Sequence, residues 1–182
     1  MNLSRPTARV RFTRLLHVLE LARFDLVLST VSGVWLMIFL AWALEPPARQ
    51  NPALAQLGLP LALLLGAVVA AGLSGCGMAL NDVLDARHDR AFAPTRPIPT
   101  GRVDVPVAVA AAMLSLLVAL AAALLFGRLS ALIGLLAAAG IIFYNLTGRF
   151  VPSVGVLTIG LLQALIMLIP NPQLSFAWPI LL

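Results

Sequence analysis

Between positions 81 and 89 the chain places Asn81, Asp82, Asp85 and Asp89, and side-chain oxygens at this spacing can do chemistry together. Set on a helix with Asn81 at the origin, Asp85 falls at about 40°, Asp89 at about 80° and Asp82 at about 100°, so the four share one face. Arg87 and Arg90 fall at about 240° and 180°, on other faces, and do not neutralise these acids locally. Two like charges about 6 Å apart repel by roughly 3 kcal/mol at an effective dielectric of about 20, so the face calls for a cation. Carboxylate and amide oxygens with no histidine or thiolate among them suit a hard ion, and Mg²⁺ shares its shell with water and phosphate. Asn81, Asp82, Asp85 and Asp89 are therefore candidate ligands of a hard cation such as Mg²⁺.

The residues that follow supply an anion-binding half. Arg96 and Arg102 bracket Pro97, Pro99 and Gly101. The prolines hold the residues before them extended, the glycine permits a tight turn, and guanidinium forks on a stiff loop grip phosphate oxygens. The plain alternative is a solvated loop whose charges pair casually. The single-face geometry and the position at the end of an apolar run favour a metal and phosphate site.

The elements that must position these residues are membrane spans. Of 182 residues, 61% are hydrophobic and 10% charged, well under the roughly 25% charge of soluble domains. The charge-free stretches are 26–44, 50–81, 105–127, 129–148 and 150–182. A helix needs about 20 apolar residues to cross a bilayer core, so each of the first four holds one span. The last holds a fifth, Pro152 to Ile169, then the turn Pro170, Asn171, Pro172 and the start of a sixth. Half a span cannot finish in hydrocarbon, so the chain is expected to continue or to be completed by another polypeptide. The expected fold is all-α: one polytopic helical bundle over 24–182, with five complete spans, a partial sixth and a catalytic cytoplasmic loop at 81–104.

All 12 basic residues are arginine. Alternating loops put Arg5, Arg9, Arg11, Arg14, Arg23, Arg87, Arg90, Arg96, Arg102 and Arg149 on one side and only Arg49 and Arg128 on the other. The excess of positive charge places the first side, with the N-terminus, in the cytoplasm; in a bacterium the membrane is the inner one. The arginines are spread too thinly, without interleaved aromatics, for a nucleic-acid partner. Residues 1–23 read as a cytoplasmic amphipathic helix at the interface rather than a cleaved leader.

Other features are structural. Ala71, Gly72, Gly75, Cys76 and Gly77 let helices approach closely. His17 and His88 read as interfacial residues, and Trp35, Trp42 and Trp178 as packing or interface anchors.

The segment from Asn81 resembles the first aspartate-rich motif of the UbiA superfamily of intramembrane prenyltransferases, NDxxDxxxD followed by RPxPSGxx. Asn81, Asp82, Asp85 and Asp89 match the first part; Arg96, Pro97, Pro99, Gly101 and Arg102 match the second, with Thr100 in place of serine. Tyr144, Asn145 and Arg149 resemble a later Tyr…Lys-Arg stretch, with Gly148 where lysine is usual, and Arg23 is placed like a first-helix arginine. The resemblance implies that Asp85 and Asp89 are the catalytic pair among the Mg²⁺ ligands Asn81, Asp82, Asp85 and Asp89, and it adds Arg23, Tyr144 and Arg149 to Arg96 and Arg102 as substrate-binding residues. It implies Mg²⁺-dependent transfer of a prenyl group from a prenyl diphosphate to an aromatic or other lipophilic acceptor, with membrane lipid as surroundings. Family members carry further spans and a second aspartate-rich motif, whereas no residue after Asp104 is acidic here. This chain reads as an N-terminal portion, whose activity by itself is open.

The competing reading is a polytopic transporter or scaffold with an acidic cytoplasmic loop. Transporter sites lie near the midplane, where Gln163, Asn145 and Ser115 are the only modest candidates.

Overall fold

The computed structural model describes residues 24–46 and 48–172. The interfacial segment 1–23 with Arg23, and the partial sixth span after Pro172, lie outside the described residues. The helices are α1 (Phe24–Leu44), α2 (Pro52–Leu57), α3 (Leu59–Phe92), α4 (Val105–Leu125), α5 (Arg128–Leu146) and α6 (Pro152–Leu168), with a 3-10 turn at Gly148–Phe150 before α6.

Four helices, α1, α3, α4 and α5, are long and apolar enough to cross a membrane. The fifth expected span corresponds to α6, whose 17 residues rise about 26 Å against a hydrocarbon core of about 30 Å. The structure therefore supports four candidate spans and one shorter apolar helix, rather than five complete spans.

Local chemistry sets the helix ends. Proline stands in the first turn of α2, α3, α4 and α6, where its missing N–H leaves no hydrogen bond unmade. The single span expected within 50–81 is broken at Gly58, whose φ of 72° separates α2 from α3. Beyond it α3 runs for 34 residues, about 51 Å of rise, so its last turns project well past a bilayer core. Asn81 through Asp89 are thus helical, and irregular chain begins only at Ala93.

The helices alternate in direction, and hydrogen bonds tie each end. At one end Asn51 Nδ2 donates to Phe126 O and Pro170 O, both at 2.8 Å, joining the ends of α2, α4 and α6. Asn171 Nδ2 donates to Glu45 Oε2 at 2.7 Å, adding the end of α1. The other end carries Asn81–Asp89, the 93–104 loop and Arg149, and is called the charged end.

Packing between the helices follows membrane logic, in which lipid is as apolar as leucine and close backbone approach supplies the attraction. The buried stripe of α4 is alanine throughout: Ala108, Ala112, Ala119, Ala122 and Ala123. Its exposed side carries Val109, Met113, Leu114, Leu117 and Leu124. Opposite that stripe, a Cβ on Gly72 of α3 would stand 2.7 Å from Ser115 O and 2.8 Å from Ala119 Cβ. Only glycine permits that crossing.

Candidate active site at the charged end

Where α3 leaves the bundle, its burial pattern splits the acidic face in two. Asp82 and Asp89 are buried, Asn81 and Asp85 half-buried, and Arg87, His88 and Arg90 exposed. The one-face arithmetic thus holds, with Asp82 and Asp89 turned toward the 93–104 loop and Asn81 and Asp85 toward α5.

On the loop side, Arg96 Nη1 lies 2.7 Å from Asp89 Oδ2 and 3.6 Å from Asp82 Oδ1. Turns hold Arg96 there. Arg102 and Val103 N–H groups donate back to Pro97 O, Gly101 takes φ 71°, and Ile98 and Val103 bury against Ala86 and Ala108. The hydrogen bond from Arg96 to Asp89 raises the arginine above its ordinary value more than burial lowers it, so the cation is permanent.

The other pair is held from across the chain. Arg149 Nη2 lies 2.7 Å from Asp85 Oδ1, while its Nη1 donates to Asp85 Oδ2 at 2.9 Å and to Asn81 Oδ1 at 2.8 Å. The 3-10 turn after α5 carries this arginine, whose guanidinium also sits 5.0 Å over the Phe150 ring. Its Nε is buried without an acceptor among the described residues.

The absence of cations near the acids in sequence therefore does not carry into space, because Arg96 and Arg149 supply them. Among the described residues no three His, Cys, Asp or Glu side chains converge as a metal cage. The donor set nevertheless fits Mg²⁺, which takes hard oxygens and is commonly bound by one or two carboxylates with water and phosphate oxygens completing its shell.

Below the acids lies a cavity of about 290 Å³, with Asn81 and Asp82 at its charged end. Leu73 and Gly77 of α3, Ile141 of α5 and Ile159, Leu162 and Ile166 of α6 make its walls apolar. Tyr144, singled out in the sequence, is part of that wall. Arg102 stands exposed on the loop. His88 is exposed, stacked on Phe92 with ring centroids 4.5 Å apart. The sequence reading gave no weight to Thr30 or Ser74 and named Gln163 only as a modest candidate under the transporter reading, yet all three line the cavity. Polar side chains inside apolar helices were the available signal.

Residues 31–170 match the model of the UbiA prenyltransferase family. The chain is 28% identical over 145 residues to the digeranylgeranylglyceryl phosphate synthase of Sulfurisphaera tokodaii, covering 79% of this chain and 49% of that protein. It is 36% identical over 85 residues to the enzyme of the same name from Metallosphaera sedula, covering 47% of this chain and 30% of that one. A solved structure described as giving insights into digeranylgeranylglyceryl phosphate synthase in membranes superposes with a TM-score of 0.74 at 21% identity. That match covers 92% of this chain and 56% of the solved one, and it establishes a shared fold. The chain spans less than half the length of the curated relatives it matches. With the family model covering most of its length, the chain belongs to the UbiA prenyltransferase family.

Proposed function

We propose that this chain carries the diphosphate-binding machinery of a Mg²⁺-dependent intramembrane prenyltransferase. It would bind a prenyl diphosphate at the charged end and pass the prenyl group to an aromatic or other lipophilic acceptor. The observation that carries the reading is the continuity of Asn81 and Asp82 with both the acid and arginine cluster and the apolar cavity.

Asn81, Asp85 and Asp89, with Asp82 beside them, would hold the metal, which when bound neutralises charge developing on a departing diphosphate. Arg96 and Arg149 bind diphosphate oxygens by exchanging part of their carboxylate contacts for the ligand. The Nε of Arg149, which has no acceptor among the described residues, is one donor for this. Arg102 is proposed to add a donor from the loop, and Arg23, which lies outside the described residues, to add another. Tyr144 and the Leu and Ile side chains pack the isoprenoid and exclude water, which would otherwise capture the allylic cation left when the carbon–oxygen bond breaks. That cation bonds to the electron-rich acceptor, and the acceptor's proton leaves to solvent.

The charged end is proposed to face the cytoplasm, because alternation of the spans along the sequence assigns ten of the twelve arginines to its side. The relatives' name makes a glyceryl phosphate lipid a candidate acceptor class. Transfer of a radiolabelled prenyl group in membranes containing the full-length protein tests the reading. It requires Mg²⁺-dependent label in lipid, lost in Asp85→Ala/Asp89→Ala; undiminished transfer by that variant contradicts it.

A further inference from the structure

Several of the oxygens suited to a metal already face a guanidinium. Arg149 holds Asp85 Oδ1 at 2.7 Å, Asp85 Oδ2 at 2.9 Å and Asn81 Oδ1 at 2.8 Å, and Arg96 holds Asp89 Oδ2 at 2.7 Å. Asp85 Oδ2 also accepts from Asn81 Nδ2 at 3.1 Å, so that oxygen is engaged twice. Arginine stays protonated at any working pH, and a divalent cation approaching these oxygens meets it as a like charge. An opposite charge within about 4–6 Å lowers a carboxylate's affinity for a proton by about 10- to 1,000-fold, and a metal competes for the same lone pairs.

Neither guanidinium can step aside at little cost. The Arg149 side chain is 18% exposed and that of Arg96 33%, so displacing either by metal alone strands a poorly hydrated cation away from its carboxylate. A diphosphate removes the obstacle, because guanidinium forks grip phosphate oxygens as they grip a carboxylate. Arginines that turn to phosphate bare the acids, and acids bared beside an anion call for a metal.

We propose that Arg149 and Arg96 form an autoinhibitory latch: without diphosphate they occupy the oxygens that take the metal, so Mg²⁺ binds tightly only once a diphosphate has drawn them off. By linkage the metal tightens diphosphate by the same factor. The latch rests on the prenyl-transfer reading for its ligands, but its test reads metal binding and not turnover.

The probe is Mn²⁺, which takes the same hard oxygens, added to the full-length protein in lipid nanodiscs and followed by electron paramagnetic resonance. With no diphosphate present, Arg149→Met binds Mn²⁺ about tenfold or more tightly than the unsubstituted protein. Arg90→Met, which removes an exposed charge from the same helix, changes the affinity less than about threefold because solvent screens it. Farnesyl thiodiphosphate, in which sulfur replaces the ester oxygen and slows ionisation, tightens Mn²⁺ binding to the unsubstituted protein by about tenfold or more, beyond empty nanodiscs carrying the same analogue. Should Arg149→Met fail to assemble, Arg96→Met, which bares Asp89 Oδ2, must tighten Mn²⁺ binding in the same direction. Equal Mn²⁺ affinity in the unsubstituted protein and both arginine variants, or a gain in Arg90→Met as large as theirs, overturns the latch. With Mg²⁺-dependent transfer intact, that result leaves the enzymatic reading standing. Tight Mn²⁺ binding that persists in Asp85→Asn/Asp89→Asn/Arg149→Met contradicts the metal assignment itself, and the latch with it.

Discussion

Arg149 and Asp85 stand 64 residues apart in the chain and form a two-pronged ion pair, Nη2 to Oδ1 at 2.7 Å and Nη1 to Oδ2 at 2.9 Å. The pair joins the end of α5 to the acidic face of α3, and the same guanidinium reaches Asn81. A double-mutant cycle with Asp85→Asn and Arg149→Met should therefore be non-additive. In thermal unfolding of the purified protein, we expect a coupling of about 1–3 kcal/mol. Arg149→Lys, which keeps the charge but loses the fork, should recover only part of it.

Arg96 covers two buried acids at once. Arg96→Met leaves Asp82 and Asp89 without that guanidinium, and removing one partner of a buried pair costs about 3–5 kcal/mol, here less because Arg96 is a third exposed. A loss of about 2 kcal/mol in unfolding free energy is expected, with partial recovery in Asp89→Asn/Arg96→Met.

The far end offers a control. Asn51 and Asn171 satisfy two carbonyls and a carboxylate from the ends of α4, α6 and α1, and lie at the end of the bundle opposite Asp82, Asp85 and Asp89. Asn51→Ala should lower stability by about 1–3 kcal/mol, through carbonyls left without donors. Transfer per folded molecule should be unchanged.

Gly72→Leu tests the closest helix crossing. Its side chain meets Ser115 O and Ala119, so α3 and α4 must separate. Overpacking of this kind costs typically about 1–3 kcal/mol, visible as a lowered Tm. Gly160→Leu, where an added Cβ meets nothing within 4 Å, should leave Tm nearly unchanged.

Much of this architecture was legible in the sequence because membrane physics writes it in runs of uncharged residues. The acidic face was legible for a related reason: α3 continues unbroken past the apolar core, so arithmetic at constant pitch places Asp82, Asp85 and Asp89 correctly. What pairs with them was not, since Arg96 returns through turns and Arg149 arrives from another helix end. The break at Gly58 lies inside a stretch counted as one span because it is charge-free, although Gly58 and Pro60 stand there as breaker residues. The fifth expected span, Pro152 to Ile169, nearly coincides with α6; it passed as a full span because a run of that length was accepted against the roughly 20 residues that a bilayer core needs. The lock around Asn51 and Asn171 left no local signal, being made of single residues in separate loops.

The most direct measurement of the central claim is pyrophosphate release from an allylic prenyl diphosphate by the purified full-length protein, titrated with Mg²⁺. The account predicts release that rises with Mg²⁺, ceases with EDTA and falls on the order of 100-fold in Asp85→Asn and in Asp89→Asn, the scale of losing one electrostatic contact to a departing anion. Release independent of Mg²⁺, or undiminished in both variants, contradicts it.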